Sequence, residues 1–377
     1  MSIFSDLGDL VKKTILTGAA LGATLFSAQH VYAQGFDQKV QNKKDTAQTL
    51  SVSDDDSTAA RKIDAWVSGY VRAEAYSSPS RQGVSGGGQL SLNLDDTTRL
   101  NFYALGAWQK FDNANAEDLE VTATRLMAGL GHYLAQSPEF EFYVEGFGGK
   151  EWNSLEQKNS MSMNADKTIY GGQAGIASQK TGSKLLINGY WGDGNYDAEF
   201  ESGFESKGDF DTVYFGGEFS QRLFGEGQKF KPKGTFDVDR DLGEEFERSL
   251  HLAVSWYTRN DKYKDVKKME LQDADGWGLR VALPYVYNVG TGNLWEFSLF
   301  GQFESYDTRS DRSERTTDSD RWRLGVRGKY THKKSFEIFG ELGPEWYGLK
   351  TDDPGLNIHD KHEKNGLFVA GGIDLRF

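Results

Sequence analysis

The charges of one short stretch recur at every second position. In DRWRLGVRGKY (320–330), Arg321, Arg323, Arg327 and Lys329 share one parity, and in SFEIFGELGPEW (335–346) so do Glu337, Glu341 and Glu345. A step of two puts side chains on one face of a β-strand. The intervening HKK (332–334) makes the two segments a hairpin, and a three-residue turn sets Lys329 near Glu337 and Arg321 near Glu345, with Arg323 diagonal to Glu341 and Glu345. Glu296 and Glu304 have the same facing one strand earlier, and Arg280 one strand before that. Opposite charges across strands stabilise a sheet, and charges on the inner wall of a pore sort ions by sign. Two readings stay open, a field across a lumen and a ladder that only stiffens a polar wall.

Other reactive chemistry is thin. Cysteine is absent, which removes thiol catalysis, disulfides and zinc–thiolate sites. His251 and Ser255 share a strand face, but four residues span about 13 Å in an extended chain, too far for a nucleophile–base bond. His359, Asp360 and His362 have a metal-like spacing within a polar loop. The expectation is a protein that is not an enzyme and holds neither metal nor cofactor. A net charge of −13 argues against nucleic acid, which needs a basic surface.

The elements that carry these charges are strands. Glycine is abundant (44), aromatics reach 13% and proline is scarce (6), a composition suited to sheet. Alternating segments occupy 63–76, 83–94, 99–111, 119–135, 139–152, 167–179, 183–194, 210–223, 248–259, 274–287, 294–306, 320–331, 335–349 and 365–377. Fourteen is an even number, and every second connection is short: 95–98, 137–139, 180–182, 288–293 and 332–334. Those between are mostly longer and charged, as in 153–166, 260–273, 307–319 and 350–364. That is the pattern of a transmembrane antiparallel up-and-down β-barrel with short periplasmic turns and long outer loops. The connection 224–247 breaks the rule; it is read as a mobile insertion or as the dock of a periplasmic partner.

Tryptophan placement agrees. Trp108, Trp152, Trp191, Trp256 and Trp346 come late in rising strands, Trp277 and Trp322 early in descending ones, and Trp295 at the opposite rim. All eight share the apolar, lipid-facing parity expected of an aromatic girdle, whereas Trp66 has lumenal parity. Ahead of the strands, Lys12 and Lys13, a short apolar run and the small residues Val31 and Ala33 read as a signal peptide over 1–33. Residues 34–62 are too polar to fold alone and read as a flexible periplasmic extension. Residues 63–377 then form the barrel.

The last strand, GLFVAGGIDLRF (366–377), alternates to its final residue, Phe377. With the signal peptide and the barrel strands, this terminus resembles those of Gram-negative outer-membrane β-barrel proteins, over about 63–377, without selecting a porin family. The resemblance implies residence in the outer membrane, lipid as a partner, and recognition of the C-terminal strand and Phe377 by the barrel assembly machinery. The expected function is porin-like passive passage of hydrophilic solutes. An export conduit for an exopolysaccharide and a closed structural or adhesive barrel acting through its outer loops are the alternatives.

Overall fold

A computed structural model describes the chain from Asp64 to Arg376, apart from 78–79, 114–115, 138, 159–160, 202, 204, 229–244, 265–272, 291, 310–315, 334 and 355–357. Fourteen strands follow one another: β1 (Asp64–Ser77), β2 (Ser80–Asn93), β3 (Thr98–Asn113), β4 (Ala116–Gln136), β5 (Phe140–Gln157), β6 (Met161–Ser178), β7 (Ser183–Phe200), β8 (Glu205–Gln228), β9 (Phe246–Lys264), β10 (Asp273–Gly290), β11 (Asn293–Arg309), β12 (Thr316–His332), β13 (Phe336–Asp353) and β14 (Ile358–Arg376). Each pairs antiparallel with its neighbours in sequence, and β1 pairs with β14 to close the barrel. The seam runs from Ser68 opposite Arg376 to Tyr76 opposite Phe368 and is the shortest ladder among the described residues. Closure leaves no strand edge exposed, a requirement in hydrocarbon, where backbone amides have no water to bond.

The outward row is apolar over a defined height. On β10 it runs Trp277, Leu279, Val281, Leu283, Tyr285, Tyr287, and each of these side chains is exposed. Phe303 links Trp277 and Trp322 in one outer aromatic row, with ring centroids 4.8 and 4.3 Å apart, and Trp346 stands directly opposite Trp322. At the other rim Trp295 stacks on Phe297 at 6.2 Å and meets Tyr330 at 4.7 Å. Ten residues separate Trp277 from Tyr287, roughly 33 Å along the strand and roughly 25 Å along the membrane normal at the usual tilt. All eight girdle tryptophans lie on this outward parity. The side chain of Trp66 lies outside the described residues.

Beyond the outer aromatic row the strands continue, which corrects the expected long loops. Of these segments, 153–157, 161–166, 260–264, 307–309, 316–319, 350–353 and 358–364 are strand, and β8 is 24 residues long. Here the facing of apolar and polar residues inverts. On β6, Ser162 and Asn164 are exposed on the outside while Met161, Met163 and Ala165 are buried inside. They join Leu119, Val121, Leu155, Tyr196, Ala198 and Phe210 in an apolar cluster lining the interior of the projecting part. Outside the bilayer, water lies on the outer face, so the apolar residues turn inward to escape it.

Turns at the periplasmic end are short, as expected. Asp95 caps the β2–β3 turn by accepting hydrogen bonds from the Thr97 amide (2.8 Å), the Thr97 hydroxyl (2.9 Å) and the Thr98 amide (2.8 Å). Those donors, the Thr97 amide first, lower its carboxyl to about 2. Gly290 and Gly292 take positive φ (90° and 81°) in the β10–β11 turn, a conformation that costs glycine no side-chain clash. The connection 224–247 is shorter than expected, because β8 runs to Gln228 and β9 begins at Phe246; residues 229–244 lie outside the described ones. Its end is anchored at Glu245, which pairs with Arg222 and accepts a hydrogen bond from Gln179 at 2.8 Å.

Candidate functional site: the inner wall

The hairpin β12–β13 puts Arg321, Arg323, Arg327, Lys329, Glu337, Glu341 and Glu345 on the inward parity. The register differs by two residues from the expected one. Arg323 stands opposite Glu345, Arg327 opposite Glu341, and Thr331 opposite Glu337. The turn is 333–335, with Lys333 at φ 47° and the Ser335 amide bonded to the His332 carbonyl at 3.0 Å. A shift of two keeps every facing. Long side chains still reach along the strand, so Arg321 meets Glu345 at 3.1 Å and Lys329 meets Glu337 at 3.9 Å. Arg323 also bonds Glu345 at 3.1 Å but turns to Glu304 (3.8 Å) rather than Glu341.

The ladder extends to both neighbours. Lys329 pairs with Glu296 at 2.8 Å, and Arg321 lies 3.6 Å from Glu304. Arg280 on β10 reaches past two strands to Glu341 at 3.0 Å, a carboxylate it shares with Arg327 at 3.3 Å. On the way its guanidinium lies over the Phe300 ring, 3.9 Å from the centroid, a cation–π contact. Phe300 fits because Gly325 stands directly opposite; a Cβ there would lie 2.6 Å from the ring. The charges therefore interlock instead of forming separate basic and acidic stripes.

Sequence reasoning missed the ion pairs on the other half of the wall. Arg125, Glu151 and Lys167 form a fully buried triad, with Arg125 Nε 2.7 Å and Lys167 Nζ 2.8 Å from the Glu151 carboxylate. Tyr190 lies under both cations, at 5.1 and 5.8 Å, and stacks on Tyr214 at 5.0 Å, which stacks on Tyr257 at 6.4 Å. Arg259 forks onto Asp261 at 2.7 and 2.8 Å. Deeper, Glu145 accepts from Tyr103 (2.8 Å), Tyr143 (2.8 Å) and Gln173 (2.7 Å). The missed signal was parity: Arg125, Glu151, Lys167, Arg259 and Asp261 all stand on the lumenal step of their strands.

The histidines are separated. His251 bonds Ser249, not Ser255, at 2.9 Å, and both are buried. His359 pairs with Asp352 at 2.7 Å, and His362 with Asp360 at 3.0 Å. Their spacing on β14 sends His359 and His362 to opposite faces. Among the described residues no group of three or more acidic, histidine or cysteine side chains could hold a metal ion. Phe377 lies outside the described residues.

No family model matches the chain, and no curated protein matches it. Solved structures are similar at low identity. A FadL homologue of Pseudomonas aeruginosa is 11% identical, with 82% of this chain and 89% of that one covered and a TM-score of 0.47. The β domain of the Bordetella autotransporter BrkA is 10% identical, covering 84% and 99%, with a TM-score of 0.41. The Pseudomonas putida toluene transporter TodX is 9% identical, covering 83% and 90%, with a TM-score of 0.41. The closed sheet of fourteen strands, its apolar band and its two aromatic rows make this chain a transmembrane β-barrel of the outer-membrane type.

Proposed function

We propose that the barrel is a passive channel for small hydrophilic solutes, narrowed by its own paired charges. The observation that carries this reading is the inner wall of β10–β13, where arginines, a lysine and glutamates continue through the depth of the apolar outer band. A barrel enclosing no water gains little from charge at that depth, since desolvating paired ions costs as much as the pairing returns. In this reading the protein is not an enzyme, and the enclosed Ser249–His251 pair serves packing. Its partners are outer-membrane lipid, the barrel assembly machinery and, through 224–247, a periplasmic protein.

A second reading has its own support. The apolar cluster inside the projecting strands narrows the outer mouth on the β4–β9 side, which favours a closed barrel acting through its projection. Conductance of purified protein in planar bilayers separates the two. Stepwise currents support the channel, and their block by a sugar polymer would favour the export alternative. Complete absence of current would sink the channel reading.

A further inference from the structure

The ion pairs of the inner wall are unequal in depth. The Arg280 side chain is 14% exposed and that of its partner Glu341 2%; Arg321 is 12% exposed and Glu345 1%; Arg327 is 12% exposed over the same Glu341. Each of these guanidiniums is held over an aromatic ring of the wall: Phe300 under Arg280, Tyr347 under Arg321 at 5.5 Å, and Phe339 under Arg327 at 4.8 Å. The carboxylates therefore lie against the sheet, with the cations in front of them. Arg323 lies as deep as its partners, and Lys329 at the periplasmic end is about as exposed as Glu296 and Glu337, so the order belongs to the three arginines. Above them, Lys364 on β14 stands directly opposite Tyr347 on the inward parity. Lys364 is exposed and makes no ion pair with a described residue.

We infer that this wall admits small organic carboxylates in preference to cations, an inference that rests on the channel reading above and names its solute class. Each pair is a dipole with its positive end toward the lumen. Coulomb energy falls with distance, so a solute on the path responds first to the guanidinium. That group is a planar fork of N–H donors matched to the two oxygens of a carboxylate. Arg321 and Arg327 are six residues apart on β12, roughly 20 Å, and Arg280 reaches from β10 to the level of Arg327. The cations thus form successive steps instead of one deep trap, and conduction needs sites weak enough to leave. The apolar cluster packs the β4–β9 side of the mouth, so the way in passes Tyr347 and Lys364, where a lone ammonium draws anions.

The test is the reversal potential of the full chain in planar bilayers under a potassium chloride gradient. The wild type should favour chloride by about three-fold, the scale of a solvated charge contact, and added acetate should block part of that current. Arg280→Gln with Arg327→Gln should abolish the preference. Arg280→Lys with Arg327→Lys should restore it without the acetate block, since an ammonium lacks the fork. Should the arginine variants fold poorly, Lys364→Gln, at an exposed position, should lower chloride current in dilute salt and match the wild type in concentrated salt. Stepwise current with equal or greater potassium permeability overturns this inference and leaves the channel reading standing. Equal acetate block in the lysine variant overturns the carboxylate class. Absence of current sinks the channel reading itself, and bromide-soaked crystals then decide the anion path alone. Bromide beside Arg280, Arg321 and Arg327 that acetate displaces supports it, and a ladder without bromide overturns it.

Discussion

Replacing Glu151 with glutamine tests whether the inner wall is dry. The carboxylate is wholly buried and holds two cations, Arg125 at 2.7 Å and Lys167 at 2.8 Å, with Asn153 donating a further bond at 3.0 Å. Glutamine keeps the shape and removes the charge, leaving two cations enclosed without their counterion. Removing one partner of a buried ion pair costs about 3–5 kcal/mol. With a urea slope of about 3 kcal/mol/M for a sheet of this size, the midpoint should fall by about 1.3 M. The assay is urea unfolding of the barrel folded in liposomes, followed by tryptophan fluorescence. A triple variant, Arg125→Met with Glu151→Leu and Lys167→Met, should recover most of the loss, since it removes every charge together. A Glu151→Gln midpoint within about 0.3 M of the wild type, under 1 kcal/mol on the same slope, would refute the reasoning: the triad would then be solvated, and the wall on that side open to water.

Glu341→Gln removes the carboxylate shared by Arg280 and Arg327 at 3.0 and 3.3 Å. If ions pass along this wall, the reversal potential in a salt gradient should move toward anion selectivity, and an unchanged potential would leave the ladder a stiffener only. Gly325→Ala should destabilise the barrel by about 1–3 kcal/mol through overpacking, because its methyl meets the Phe300 ring at 2.6 Å and the Leu342 carbonyl at 2.9 Å; an unchanged unfolding midpoint would show that the ring moves freely. Above the outer aromatic row, burial and the neighbouring Asp318, Asp320 and Asp275 raise the Asp307 carboxyl above its ordinary value. The folded protein then binds more protons than the unfolded one between those two values, so stability falls as pH rises through that window. Asp307→Asn should accordingly raise the melting temperature at neutral pH, with the gain shrinking as pH drops below it; a gain independent of pH would contradict this.

Strand number, facing and lipid contact were legible in the sequence because period two survives any local irregularity. Trp277 through Tyr287 could be read off as one apolar row without knowing what they touch. Register was less legible. Parity constrains pairing only to even shifts, so Arg321–Glu345 and Arg323–Glu345 were equally compatible until Lys333 took its positive φ and set the turn. The projecting strands were missed for a different reason. NSMSMNAD (159–166) does alternate, yet its outer residues are polar and its inner ones apolar, the reverse of a lipid-facing strand. A pattern that changes phase where the solvent changes side was taken for loop. The Arg125–Glu151–Lys167 triad escaped because its members come from three strands, and only the registers of β4–β5 and β5–β6 set Arg125 and Lys167 directly opposite Glu151.

The phase change also works as a draught line. On β7 the outward row passes from Ile187 and Trp191 to Asp193, Asn195, Asp197 and Glu199 within a few residues. Sinking the barrel by two residues would carry Asp193 into the edge of the acyl chains, where a charge on the lipid face costs up to about 1 kcal/mol. Lifting it by the same amount would strand the aromatic row in water. Fourteen strands share that constraint, so the barrel floats at one height and tilt, and whatever its rim presents to the exterior is held at a fixed distance above the cell surface.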